Sequence, residues 1–75
     1  MKKVIVSGCS GQLGLCLSKA LIEDGNHVIG LDLVEPRFKS KLFEFHNVNI
    51  CEKEQVDTFF KKLIVKHPVV NGLVN

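Results

Sequence analysis

Apolar positions along the chain fall into four short runs, interrupted by two segments in which they recur at helical spacing. The first run, Val4-Ile5-Val6, is β-branched and uncharged after Lys3, and predicts a strand over 3–7 that is covered on both faces of a parallel sheet. Behind it, Leu13, Leu17, Ala20, Leu21 and Asp24 stand three and four positions apart. This predicts a helix over 15–24 with that stripe inward and Ser18, Lys19 and Glu23 outward, stopped by Gly25. His27-Val28-Ile29-Gly30-Leu31 reads as a second strand ending on Asp32. Glu35-Pro36-Arg37 breaks any continuation, Phe38–Leu42 is at most a short helical turn, and Phe43–Val48 alternates weakly as a third strand. Val56, Phe59, Phe60, Leu63 and Ile64 mark one face of a second helix over 52–66, which His67-Pro68 ends. A last apolar run, Val69–Asn75, begins a fourth strand. Strands alternating with helices predict a right-handed parallel α/β unit with spatial strand order 3-2-1-4, in which the interval 33–42 is a minimal crossover.

The join between the first strand and the first helix carries the candidate chemistry. Ser7-Gly8-Cys9-Ser10-Gly11-Gln12-Leu13-Gly14 places glycines at every third position, and Asp32 follows at the end of the next strand. Strand, glycine turn, helix, strand and acid is the order that a pocket for the adenosine half of a dinucleotide requires. Glycines let the backbone approach a pyrophosphate, a helix N-terminus offers unpaired N–H groups and positive dipole, and a carboxylate accepts from ribose hydroxyls.

Length limits how much of such a site the chain holds. A complete dinucleotide-binding sheet has about six strands in two halves, and 75 residues have room for one half. Ten basic and eight acidic residues are dispersed, so no electrostatic footprint for nucleic acid or an anionic membrane stands out, and the small cluster Arg37-Phe38-Lys39-Ser40-Lys41 reads as a solvated loop. Cys9, Cys16 and Cys51 match neither a zinc pattern nor a CxxC pair. Free thiols suit a reducing compartment, and no segment resembles a signal peptide or a membrane span, so a cytoplasmic location is expected. Cys9 sits near a helix N-terminus, a place that lowers a thiol pKa. His27, His46 and His67 are scattered along the chain beside no carboxylate cluster and read as structural or surface residues, and no metal ligand is assigned. Phe59 and Phe60 share the apolar stripe of the second helix and read as core.

Three motifs carry a resemblance to the short-chain dehydrogenase/reductase family that extends over all 75 residues. The turn Ser7–Gly14 is similar to the family's Thr-Gly-rich cofactor turn, with the GxxGxxG spacing of the extended, epimerase-like branch. Asn49-Ile50-Cys51-Glu52 stands where the family commonly has Asp-Val-Thr-Asp. Asn71-Gly72-Leu73-Val74-Asn75 resembles the run that opens the classical Asn-Asn-Ala-Gly motif. The resemblance implies a Rossmann-like three-layer α/β fold with a partial parallel sheet, residues 1–75 being the N-terminal half of an NAD(P)-binding domain truncated after the fourth strand.

The resemblance also implies a set of cofactor-binding residues. Gly8, Ser10, Gly11 and Gly14 would shape the pyrophosphate site, with Gln12 and Leu13 over the diphosphate through their backbone. Asp32 and Leu33 would lie at the adenosine ribose, Asn49 and Ile50 at the adenine, and Asn75 would open the segment supporting the nicotinamide side. An acid at the ribose position disfavours a 2′-phosphate, which points to NAD over NADP, although Arg37 lies within loop reach of one. The family's chemistry rests on a Tyr-x-x-x-Lys pair, and the sequence contains no tyrosine. No catalytic residue is therefore assigned. The expectation is the dinucleotide-binding portion of an oxidoreductase that is inactive alone, or else a non-enzymatic remnant that binds nucleotide or associates with itself. A half-sheet exposes a strand edge and an apolar helix face, so self-association is expected in either case.

Overall fold

A computed structural model describes residues 1–75. Strands β1 (Lys3–Ser7), β2 (His27–Asp32), β3 (Phe43–Asn47) and β4 (Gly72–Val74) form one sheet, with helices α1 (Gln12–Glu23) and α2 (Lys53–Lys66) between them. Every strand pair is parallel and the spatial order is β3-β2-β1-β4, as the alternation of elements predicts. The register pairs Ile5 with Ile29 and Leu73, and Ile29 with Glu44.

Strand parity divides the core into two layers. Val4, Val6, Val28 and Cys9 are buried on one face, against Leu21 and Ile22 of α1 and against Phe43 and Phe45. Ile5, Ile29, Leu31 and Val48 are buried on the other face, against Phe59 and Leu63 of α2. The weak alternation of the third run is thereby explained. Phe43 and Phe45 turn toward α1, whereas Glu44 and His46 turn toward α2.

Four details differ from the sequence reading. Helix α1 begins at Gln12, three residues early, because the glycine turn passes directly into it with Gly11 as N-cap. Its inward face is also rotated: Ser18 is fully buried, whereas Leu13 is 84% exposed and Ala20 and Asp24 are exposed. The helix packs too closely on the turn for a large side chain there, since a Cβ added to Gly14 would lie 2.1 Å from the Gly8 carbonyl oxygen. Small residues at 14 and 18 allow that approach, and the Ser18 hydroxyl is satisfied by donating to the Gly14 carbonyl at 2.8 Å. The connection over 33–42 stays within the short turn expected of it, with the Phe43 N–H donating to the Ser40 carbonyl at 3.1 Å, and Phe38 packs edge-on against Phe43, ring centroids 5.5 Å apart, beneath Lys19. Of the predicted α2 stripe, Phe59 and Leu63 are buried, but Phe60 and Ile64 face an open cleft beside β4.

The histidines are the fourth difference. Expected to lie apart from any acid cluster, all three contact one carboxylate, that of Glu44. His27 shares the α2 face of β2 with Ile29, Glu44 sits opposite Ile29, His46 is two positions along β3 on the same face, and His67 caps the end of α2 there. Period-two parity and the return of α2 bring together residues up to 40 positions apart.

Candidate functional site

The turn between β1 and α1 lies at the carboxyl ends of the strands, where the connection from β1 leads toward β2 on one side and β4 lies on the other. An open parallel sheet places its ligand crevice at such a change of direction. Gly8 adopts φ +75°, a left-handed conformation that a side chain would disfavour. Its N–H and that of Cys9 both donate to the Leu31 carbonyl, at 2.8 and 3.2 Å, so the turn is tied to the end of β2. At the start of α1 the N–H groups of Gln12, Leu13 and Gly14 meet no acceptor in the chain, and no side chain caps them. Three aligned donors at the positive end of a helix form an anion-binding arrangement, and all three residues line an open cleft.

Two clefts meet at Ser7 and Gly8. One, of about 340 Å³, is lined by Gly8, Gly11, Gln12, Leu13 and Gly14 and closed at the far side by Asn75. The other, of about 220 Å³, is lined by Asp32, Leu33, Asn49 and Ile50. Ten of the eleven residues singled out from the sequence thus line two adjoining clefts at one end of the sheet. The eleventh, Ser10, lines neither cleft but joins them, because its backbone N–H donates to Asp32 Oδ2 at 2.9 Å.

Asp32 and Asn49 are more engaged within the chain than their pattern suggests. Asp32 Oδ1 accepts from the Leu33 N–H at 2.7 Å, so each carboxylate oxygen holds one backbone donor and keeps a lone pair for another. The carboxylate therefore clamps the glycine turn to the end of β2. The Ser10 hydroxyl adds a second tie by donating to the Val34 carbonyl. Asn49 Oδ1 accepts from the Cys51 N–H at 3.0 Å, and the Asn49 N–H donates to Gln55 Oε1 at 2.8 Å, which shapes the entry to α2. Asn49 also lines the cleft. Leu33 and Ile50, both exposed, give this cleft apolar walls.

Cys9 lies under the turn and is fully buried. Burial raises its thiol pKa, the Ser10 hydroxyl works in the opposite direction, and the Asp32 charge adds to the rise. Desolvation thus outweighs the lowering expected from a helix N-terminus, and the thiol is a packing group.

The sequence expectation did not include the Glu44 cluster, for which the available signal was Glu44-x-His46 within a strand pattern: two polar residues on the same face of a half-buried strand call for a partner. Burial alone would raise the Glu44 pKa, but hydrogen bonds from His46, His67 and Lys66 prevail and hold it at about 2.

The sequence model of the NAD dependent epimerase/dehydratase family matches residues 4–71. Among curated proteins, the short chain dehydrogenase ple7 of Rhodocybe pseudopiperita is 40% identical over 55 residues, covering 71% of this chain and 22% of that protein. Among solved structures, a short chain dehydrogenase of Leptospira borgpetersenii with bound NAD+ superposes with a TM-score of 0.93 at 28% identity, covering 99% of this chain and 30% of that one. Aldohexose dehydrogenase of Thermoplasma acidophilum shares the fold, with a TM-score of 0.88 at 24% identity over 99% of this chain and 28% of its own. The chain therefore spans between 22% and 30% of the length of these relatives. No helix is long and apolar enough to cross a membrane.

Proposed function

The chain belongs to the NAD dependent epimerase/dehydratase family, and from that membership we propose that residues 1–75 are the N-terminal half of an NAD(P)-binding domain, the cofactor-holding portion of a short-chain dehydrogenase/reductase. The observation that carries this reading is the set of three unpaired N–H groups at Gln12, Leu13 and Gly14, opening onto a cleft next to the Asp32 carboxylate. The dinucleotide supplies a nicotinamide that accepts or gives hydride. Gly8, Ser10, Gly11 and Gly14 form the pyrophosphate cradle, and the N–H groups of Gln12 and Leu13 donate to its oxygens. Asp32 accepts from the adenosine ribose with its free lone pairs, with Leu33 beside it, while Ile50 flanks the adenine and Asn49 offers its amide to the adenine edge. Asn75 borders the cleft that leads toward the nicotinamide.

NAD is favoured over NADP on this reading. Asp32 repels a 2′-phosphate and Leu33 beside it offers no cation; the basic groups of the connection, Arg37, Lys39 and Lys41, stand at least five positions further on. Calorimetric titration of both dinucleotides into the protein tests the assignment. NAD is expected to bind more tightly than NADP, and Asp32→Asn to weaken NAD by about 10-fold or more while narrowing the gap between the two, as the loss of a charge-assisted hydrogen bond worth about 1.5–3 kcal/mol requires. Unchanged NAD affinity in a variant with native circular dichroism would refute the ribose assignment.

The one-sided pairing of β4 beside the apolar cleft of Phe60, Ile64 and Leu73 favours a second reading, a non-enzymatic remnant that binds nucleotide or associates with itself in the cytoplasm. A reading frame that continues into an Asn-Ala-Gly run and a Tyr-x-x-x-Lys pair supports the enzyme portion. A stop codon after Asn75, together with no turnover, supports the remnant.

A further inference from the structure

All three histidines of the chain surround Glu44 at the end of the sheet remote from the glycine turn. Glu44 Oε1 lies 3.1 Å from His67 Nε2 and 3.6 Å from His27 Nε2, and one donor atom from each of these three residues lies within 4.8 Å of the others. The 3.6 Å separation is too long for a hydrogen bond, and His27 Nε2 is buried with no hydrogen-bond partner. A shared tetrahedral ion would give His27 Nε2 the partner it lacks, with all three donor atoms already within 4.8 Å of one another. Zinc bonds of about 2.0–2.1 Å to nitrogen and oxygen set neighbouring donor atoms roughly 3.3–3.5 Å apart, between the two values observed.

We propose that His27 Nε2, His67 Nε2 and Glu44 Oε1 form a binding site for a zinc-class divalent transition ion. Two imidazoles and one carboxylate select Zn2+ or Co2+ over the hard cations Mg2+ and Ca2+, which take oxygen ligands. Three protein ligands leave a fourth position open. His46 binds the other carboxylate oxygen, Oε2, and so orients the ligating carboxylate from outside the coordination shell. The side chains of His27, Glu44 and His67 are 17%, 15% and 8% exposed, sheltered yet reachable from the surface. Lys66 Nζ lies 3.2 Å from Glu44 Oε1 on a largely exposed side chain, and acts as a competing cation that swings out when the ion enters. The site is independent of dinucleotide binding, and its occupancy ties the start of β2, the sheet-edge strand β3 and the end of α2 to one another.

The test uses the chelator-treated 75-residue protein, with Co2+ followed by visible absorption and Zn2+ followed by competition with a chromophoric chelator. One equivalent is expected to bind, with the intense visible bands of a four- or five-coordinate nitrogen and oxygen site and no thiolate-to-cobalt charge transfer. His27→Ala and His67→Ala should each abolish stoichiometric binding, His46→Ala should weaken it about 10- to 100-fold, and Lys66→Ala should strengthen it several-fold. Because a buried histidine variant can lose its fold, the unaltered protein is also titrated with Zn2+ by NMR. The ring nitrogens of His27 and His67 should shift while the amides of Gly8, Gly11 and Gly14 do not. No stoichiometric binding, a thiolate band from Cys16 or Cys51, or His27 and His67 signals unmoved by Zn2+ would each overturn the proposal.

Discussion

Of the six glycines, two sit where no side chain fits. A Cβ at Gly14 would lie 2.1 Å from the backbone oxygen of Gly8, where neither side can yield without moving α1 off the turn. Gly14→Ala is therefore expected to destabilise the protein by about 1–3 kcal/mol, as overpacking does, and to abolish dinucleotide binding; urea denaturation and calorimetry check the two effects. Gly30 is crowded differently, with its absent Cβ 2.7 Å from Cys9 Sγ and 2.8 Å from the Phe43 ring. Gly30→Ala should cost a similar amount, but the neighbours are side chains, so adding Phe43→Leu should recover part of the loss. A double variant no more stable than Gly30→Ala would show that the obstruction is not the ring. The buried, raised-pKa thiol of Cys9 also has a direct readout. Under native conditions an alkylating reagent should modify Cys16 and Cys51 quickly and Cys9 only on unfolding, counted by mass spectrometry.

The Glu44 contacts tie β2, β3 and α2 together, and they make stability depend on pH. Glu44 has a folded pKa of about 2 against an ordinary value of 4.5, so the folded state favours its charged form. A lowered carboxylate pKa contributes stability that is present above the unfolded value and lost as pH falls toward the folded one. In chelator-treated protein, stability should therefore decline between about pH 5 and pH 2, with Glu44 accounting for on the order of 2 kcal/mol. Glu44→Gln should flatten the decline; a slope unchanged by that substitution would place its origin elsewhere. The elements themselves were legible in the chain to different degrees. The bounds of β1 and β2 follow from uncharged β-branched runs, and α2 from five apolar positions at helical spacing. The inward face of α1 was not legible, because periodicity counts large apolar residues, whereas contact with the glycine turn selects small ones, Gly14 and Ser18.

Across the whole molecule, β4 is paired on one side only, and Phe60, Ile64 and Leu73 border an open apolar cleft of about 410 Å³. Unpaired strand edges and uncovered apolar faces promote association. Sedimentation velocity should show association that grows with protein concentration, and Ile64→Lys with Leu73→Lys should shift the protein toward monomer. A stable monomer at high concentration would contradict this.

Contiguous residues were enough for the order of strands and helices and for the parallel topology, and they supplied the glycine turn and the acid on which the proposed dinucleotide site rests. These depend on local propensity, on glycines at fixed spacing and on an acid at a strand end, all of which are written in contiguous residues. Tertiary structure alone decided that the Asp32 carboxylate clamps the turn through the Ser10 N–H, that Asn49 shapes the entry to α2, and that three histidines from β2, β3 and the end of α2 meet at Glu44. Such contacts depend on strand register and on where a helix returns, and no spacing within the chain encodes the distance between residues that only folding brings together.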